Sequence, residues 1–323
     1  MTLSQQDAAQ FAGRFDALAG NLGQALLDKP HPIRLALTAL FAGGHLLLED
    51  APGTGKTALA RAMAASIAGK HSRLQFTPDM LPSDITGVTM FNQQTGQWKF
   101  HEGPVFAQIV LADEINRASP KTQSALLEVM DEQQVTVSGE THPVGNPFMV
   151  IATQNPIEQA GTYPLPEAQL DRFLMKTSVG YPDRAAAVEV LGGSAQPDRS
   201  RLLQPVIAQA AVAEMIDSVR DNYVDAAVLD YTQALVEATR EDADTHIGVS
   251  TRGAIAMVRA ARVWAAAHGR NYVLPDDVKE LAGCVWTHRL ILTPEAEFAG
   301  TTATDVVARV LAQVEAPANR MAS

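Results

Sequence analysis

The chain has 323 residues, 46% of them hydrophobic and 19% charged, with a formal net charge of -11 and a single cysteine, Cys284. That composition supports one large or two modest domains with real cores. It excludes a disulfide framework or a cysteine-based metal site, so a reducing, cytoplasmic compartment is expected. The negative charge has the wrong sign for a surface that coats a nucleic-acid backbone, the N-terminus MTLSQQDAAQF lacks the basic and apolar regions of a secretory signal, and no apolar run approaches the roughly 18 residues that suggest a membrane span.

In chain order, short runs rich in Val, Ile and Leu occur at 45–49, 74–77, 108–112, 148–153 and 173–179, separated by helical patterns. Buried parallel strands read this way, and the alternation predicts a doubly wound α/β sheet. Beyond "GYPDRAAAVEVL" the strand-like runs stop. Helical spacing then covers 183–192, 212–222, 226–241, 250–268, 275–287 and 303–315, with Gly269 as a C-cap and Pro275, Asp276 and Asp277 as the next helix start. Residues 193–205, "GSAQPDRSRLLQP", read as a loop. Two strand-turn-strand segments are also visible, turning at Thr95-Gly96 and at Ser138-Gly139. The expected division is a nucleotide-type core with N-terminal helices over 1–182, a helical domain over 183–318, and a disordered tail over 319–323.

The first site candidate is "LLLEDAPGTGKTALARAM", a buried strand, a loop and a helix. The phosphate-cradling pattern G-x-x-x-x-G-K-[ST] is met at its end by Gly55, Lys56 and Thr57, but its first position is Asp50 rather than glycine. Such a loop turns successive backbone N–H groups inward, making an anion-binding nest at the helix N-terminus. The segment Asp50, Ala51, Pro52, Gly53, Thr54, Gly55, Lys56, Thr57 and Ala58 is therefore the candidate cradle. Gly53 and Gly55 allow close approach to a phosphate, Lys56 reaches the β- and γ-phosphates, and Thr57 offers its hydroxyl to Mg²⁺. Asp50 precedes the turn, where its side chain can point away from the nest and bond loop backbone. A chance Gly-Lys-Thr at a helix start is the competing reading.

The strand "IVLADEIN" ends in Asp113 and Glu114, whose side chains leave in different directions. Asp113 suits a Mg²⁺ shell through water, and Glu114 suits orienting and deprotonating an attacking water. In "VIATQNP" a further strand ends in Asn155, which can position a water without taking its proton. Standing alone, Asn-Pro after a strand is ordinarily a turn. Among the remaining residues, Trp98 and Phe100 suit cross-strand packing better than a gripping role, Trp264 and Trp286 read as core, and Cys284 as a buried small hydrophobe. His31, His45, His71 and His101 lack paired ligand spacing, so no structural zinc is expected.

Together with "LPEAQLDRF", "FTPDMLPSDITG", "GPVFAQIVLADEINRASPKTQSALLEVMDE", "VTVSGETHPV" and "STRGAIAMVRAARVWA", these motifs resemble the MoxR family of AAA+ ATPases over nearly the whole chain, from about residue 15 to about residue 315. The resemblance implies a P-loop NTPase αβα sandwich with an all-helical lid, ATP/ADP and Mg²⁺ as cofactors, and a homo-oligomeric ring, usually hexameric. It makes "TGVTMFNQQTGQWKF" the helix-2 insert and "QQVTVSGETHPV" the hairpin before sensor 1. MoxR loops often carry Asp where the first glycine is missing, so Asp50 fits. Asn155 then matches sensor 1, and Arg172 the arginine finger that reaches a neighbouring subunit's γ-phosphate. Arg252 matches sensor 2, reaching the nucleotide of its own subunit. A fixed guanidinium suits the charge that phosphoryl transfer spreads over equatorial oxygens. Outside the resemblance, an Arg before an apolar strand is ordinarily a surface ion pair, while Arg252 at a helix N-terminus favours an anionic partner. Arg117 can point into a subunit interface or elsewhere.

The function so implied is chaperone-like remodelling or maturation of a protein client, with a partner carrying a von Willebrand factor A domain, and with neither nucleic acid nor stable membrane insertion involved. The rivals are a nucleic-acid motor, since related rings include helicases, and a nucleotide-dependent scaffold with negligible hydrolysis. The insert's single Lys99 disfavours the first, and the presence of Glu114 the second.

Overall fold

The computed structural model describes residues 2–155, 161–193 and 198–317; the anticipated tail at 319–323 lies outside them. Helices α1 (Gln5–Gly23) and α2 (Pro30–Phe41) come first, α1 capped by Ser4, which accepts a bond from the Asp7 amide. Then follow β1 (Leu46–Glu49), α3 (Lys56–Ser66), β2 (His71–Gln75), α4 (Pro82–Thr86) and the hairpin β3 (Gly87–Asn92) and β4 (Gln97–Glu102). The core continues with β5 (Ile109–Asp113), α5 (Pro120–Glu132), the hairpin β6 (Gln134–Val137) and β7 (Glu140–Pro143), β8 (Met149–Gln154), α6 (Glu167–Leu170) and β9 (Met175–Thr177).

Five of these strands form one parallel sheet in the order β2-β5-β8-β1-β9. Alternation along the strands sends Leu46, Leu48, Ile109, Leu111, Met149 and Ile151 to one face and Leu47, Val110, Ala112, Val150 and Ala152 to the other. Both faces are covered, so the strands read as continuous apolar runs in the sequence. The exception is β2, which starts at His71 rather than at Leu74. Its polar residues still pair with β5 because the ladder uses backbone groups, whatever the side chain.

Both expected hairpins form. The base of β3–β4 is pinched by Gly87 and Gly103, where a Cβ on Gly103 would lie 2.2 Å from the Ile85 carbonyl oxygen and 2.4 Å from the Gly87 nitrogen. Phe91 packs across the strands against exposed Trp98 at 5.3 Å between ring centroids. Phe100 stacks on His142 of the second hairpin at 4.0 Å, so the two hairpins lean on one another through aromatic faces.

Beyond β9, in the region expected to form the lid, the chain carries α7 (Arg184–Gly192), α8 (Gln209–Val219), α9 (Ala226–Glu241), β10 (Thr245–Ile247), α10 (Thr251–Ala267), α11 (Pro275–Trp286), β11 (Ile291–Leu292), α12 (Pro294–Phe298) and α13 (Ala303–Gln313). The helical spacing anticipates the longer helices but not α12, nor the small antiparallel pair β10–β11. Strands of two or three residues hold too little periodicity to be seen, and this pair forms only when distant segments meet. Within the expected loop at 193–205, Arg199–Arg201 makes a 3₁₀ turn capped by Asp198, which ion-pairs with Arg61 of α3.

The N-terminal helices join the core to the lid. α1 packs on α2, α3 and the lid helix α10. Phe11, Phe15 and Phe41 form one aromatic cluster, and the Arg34 guanidinium lies 5.0 Å from the Phe15 ring and 5.7 Å from that of Trp264. One sheet face, the N-terminal helices and the lid thus share a single apolar core containing both Trp264 and Trp286. Cys284 is half-buried against it and burial pushes its thiol up to about 12. No helix of the described residues is long and apolar enough to cross a membrane.

His45, just before β1, ties three elements together. Its Nδ1 accepts from the Val150 amide at 3.0 Å and its Nε2 donates to the Met130 carbonyl at the end of α5, also at 3.0 Å. Both ring nitrogens are used by the neutral form, so a second proton has to break the Val150 bond. Burial accordingly lowers its pKa from 6.5 to about 4. Burial, helped by the adjacent Arg289 guanidinium, pushes the buried His288 down as well. A depressed histidine favours the fold at neutral pH and costs stability as pH falls from 6.5, where the unfolded chain takes up the proton, towards 4, where the folded one does. Unfolding free energy from urea titrations should therefore drop by about 3 kcal/mol between pH 7 and pH 4 on account of His45 alone. A His45→Gln variant, which keeps a donor and an acceptor, should show a shallower pH slope; an unchanged slope would remove His45 from this role.

Candidate active site

The loop between β1 and α3 begins at Asp50, whose amide bonds to the Gln154 carbonyl of β8. Gly53 (φ 83°) and Gly55 (φ 98°) take left-handed backbone conformations that disfavour side chains. Gly55 is the N-cap of α3, which starts with Lys56. Thr54 is buried, Ala51 and Thr57 to Ala58 are half-buried, and Pro52 is exposed. The Lys56 ammonium donates to the carbonyls of Asp50 at 3.0 Å and Ala51 at 3.2 Å, so its charge stands over the loop.

Asp50 turns away from the loop, but its partner is not loop backbone as expected. Its buried carboxylate accepts from the amides of Val179 at 2.5 Å and Gly180 at 3.1 Å. Those residues leave β9 towards the lid. The residue that departs from the general pattern thus anchors the exit from the core, and its charge is satisfied by two N–H groups rather than aimed at an anion.

Asp113 and Glu114 end β5 at the same edge. Thr153 of β8 serves both: its hydroxyl donates to Asp113 Oδ1 at 2.7 Å and accepts from the Glu114 amide at 2.8 Å. Glu114 has φ 57°, an unusual conformation for a residue with a side chain, and of the kind that concentrates at functional sites. Its Oε2 accepts from Gln75 and Arg117, each at 2.9 Å. Arg117 therefore folds onto the acid of its own chain. Arg73 of β2 pairs with Asp113 Oδ2 at 2.5 Å. Asn155 is buried and follows Gln154, which places it beside the start of the Lys56 loop. The chain from Pro156 to Ala160 lies outside the described residues.

The other two candidates lie elsewhere. Arg172 pairs through Nε with Asp131 at 3.1 Å, and Arg252 pairs with the same carboxylate at 2.5 Å. Asp131 is in the last turn of α5, whose end is held by His45 before β1 begins. The pair therefore sits at the edge where strands start, while Lys56 sits where they end. The span from Gly44 to Asp50 corresponds to about 20 Å of strand at ~3.3 Å per residue. This corrects the expectation for Arg252: the body of the sheet separates it from the loop of its own chain. Its anionic partner is Asp131, as an arginine at a helix N-terminus requires.

Sequence reading missed Thr153, Arg73, Gln75 and Asp131. Each meets its partner across strands or helices, and no spacing in the chain marks such a contact. The oxygens of Thr57 and Asp113 are hard donors of the type Mg²⁺ takes when phosphates and water complete its shell. No cluster of three or more His, Cys, Asp or Glu able to hold a metal by itself occurs among the described residues.

Comparison with known proteins agrees with this geometry. The profile of the ATPase family associated with various cellular activities (AAA) matches residues 45–175, and that of the AAA lid domain matches residues 237–310. The chain is 41% identical to Chaperone MoxR1 of Mycobacterium tuberculosis over 292 residues, 87% of this chain and 76% of that one. It is 46% identical to YeaC, an uncharacterised protein of Bacillus subtilis, over 302 residues, with 94% of each chain covered. A provisionally assigned ATPase of Cytophaga hutchinsonii, solved by crystallography, matches with a TM-score of 0.90 at 37% identity, covering 96% of this chain and 97% of that one.

The Asp50 contacts yield a test in which restoring the general loop pattern does harm. Asp50→Gly supplies the missing first glycine but leaves the buried Val179 amide and the half-buried Gly180 amide without their acceptor. Stability measured by urea unfolding should fall by about 2 kcal/mol or more. Unchanged stability would mean that water replaces the carboxylate at no cost.

Proposed function

Because the chain belongs to the MoxR family of AAA+ ATPases, we propose that it binds and hydrolyses ATP with Mg²⁺ and couples the cycle to work on a protein client. The observation that carries this reading is the gathering of Lys56, Asp113, Glu114 and Asn155 at one edge of the parallel sheet, where α/β proteins bind ligands. The loop amides and Lys56 hold the phosphates, whose charged oxygens are stronger acceptors than the Asp50 and Ala51 carbonyls that Lys56 now contacts. Thr57, through its hydroxyl, and Asp113, through water, would hold Mg²⁺, which would supply positive charge against the phosphates. Glu114 takes the proton of the attacking water, and Asn155 holds that water in line.

Arg172 and Arg252 are too far from the loop of their own chain to serve it, so they act on the nucleotide of a neighbouring subunit. This supports a closed ring, the arrangement in which every loop faces a neighbour's arginines. Chaperone-like remodelling with a von Willebrand factor A domain partner is the form of work we favour, in line with a relative named as a chaperone. The insert hairpin carries Lys99 as its single Lys or Arg over residues 87–102, which disfavours a nucleic-acid motor.

Two single substitutions test the chemistry. Lys56→Ala should abolish ATP binding by calorimetry, since the β/γ charge loses its cationic partner. Glu114→Gln should bind ATP normally and lose turnover, because an amide accepts no proton; wild-type hydrolysis there would show that Glu114 is not the base.

A mixing experiment tests the neighbour relation. Arg172→Ala should bind ATP and hydrolyse it slowly, with a loss on the order of 10³-fold. Lys56→Ala has an empty site but an intact arginine edge to offer. Mixed rings, verified by native mass spectrometry, should regain turnover that neither variant shows alone. No recovery at any mixing ratio would sink the neighbour reading.

A further inference from the structure

We propose that Asp131 is a positioning residue for hydrolysis, joining Arg172 and Arg252 into one anion-binding unit that the subunit presents to its neighbour. This rests on the neighbour reading above, but assigns a role to an acid that the motifs leave without one. A cavity of about 250 Å³ at the strand-start edge is lined by His45, Asp131, Asp171, Arg172, Arg252, Arg259 and Arg289, among other residues. Two of its arginines are already committed. Arg259 donates to the carbonyls of Ala42 at 2.5 Å and Gly43 at 2.9 Å, and buried Arg289 pairs with Asp171 at 2.6 Å. The two that remain both close on Asp131, one on each carboxylate oxygen.

Three elements converge there: the end of α5, the turn after α6 and the first turn of α10. Each is tied down independently. His45 holds the Met130 carbonyl, Arg289 holds Asp171, and Ser250 caps α10 through the Gly253 amide while its hydroxyl donates to Asp171 at 3.0 Å. The Asp131 carboxylate therefore stands on a fixed frame, and the two long side chains are set by it. Without it, two like charges on partly exposed, flexible arms repel and separate. One shared carboxylate leaves the triad with a net charge of +1, so it can still attract an anion.

The test uses Asp131→Asn, which keeps shape and removes charge. It should bind ATP in its own site as the wild type does, by calorimetry, while turnover falls at least tenfold. Adding Asp131→Asn to an Arg172→Ala/Arg252→Ala variant should lower turnover no further, because no arginine is left for the carboxylate to position. The decisive readout is mixing with Lys56→Ala, whose subunits carry an intact Asp131, Arg172 and Arg252. Turnover should reappear, since the defect of Asp131→Asn lies in what it offers a neighbour. A mere staple between core and lid would damage its own subunit and show no recovery. A carboxylate that only obstructs the arginines would make Asp131→Asn faster than wild type. Either result overturns the proposal. Arg172→Ala mixed with Lys56→Ala is the control: recovery there without recovery for Asp131→Asn rejects the role of Asp131 alone, whereas failure of both rejects the neighbour reading and this role with it. Asp131→Glu, which keeps the charge on a longer arm, should fall between Asn and wild type in turnover, and it carries the same mixing test if the Asn variant does not fold.

Discussion

All five strands of the central sheet run in the same direction, and that polarity sorts the functional groups into two sets that cannot meet within one chain. Residues that follow a strand end, among them Asp50, Asp113, Glu114 and Asn155, collect at one edge with Lys56. Residues near a strand start, or at the far end of the helix that returns to one, collect at the other: His45, Asp131, Arg172 and Arg252. The strand length keeps the sets apart, and the burial of both sheet faces keeps that length rigid. Under the function proposed above, a site requiring both sets is completed by placing one edge of a subunit against the opposite edge of the next, which ties hydrolysis to assembly.

At the strand-end edge, carboxylates are controlled by neighbours rather than left in solvent. Thr153 links Asp113 to the Glu114 backbone, Arg73 neutralises Asp113 from β2, and Gln75 with Arg117 turns Glu114 towards the same strand. Each such contact limits where the acid can point, and a site of this kind needs orientation as much as charge. Asp50 serves differently. It faces away from the phosphate loop and fastens the backbone where the chain leaves the sheet for the lid, so the loop and the lid connection share one anchor.

The lid gains its place from packing more than from polar contacts. α1 packs against α2, α3 and α10, its Phe11 and Phe15 meeting Phe41 of α2, while Arg34 of α2 reaches both the Phe15 ring and that of Trp264 in α10. The polar frame of Asp171, Arg289 and Ser250 then sets the angle at which the first turn of α10, and with it Arg252, meets the core. Apolar burial supplies most of the attachment, and directional bonds select its geometry.

Much of this was legible in the chain itself. Periodicity located four of the five core strands closely, because strands buried on both faces must be apolar throughout, and met only the end of β2, whose residues are mostly polar. The order of strand, glycine-bearing loop and helix marked the Lys56 site, because a phosphate nest is made from consecutive residues. Paired acids at a strand end were visible for the same reason. Other features were beyond its reach. That Asp50 bonds Val179 and Gly180, that Thr153 bridges two acids, that β10 pairs with β11, and that Arg172 and Arg252 share Asp131 all depend on segments far apart in sequence. A motif records which residues are neighbours along the chain. Which edge of the sheet an arginine occupies is decided by how helices fold back over that sheet, and so Arg252 could be recognised from its residues but assigned to a side only by the tertiary structure.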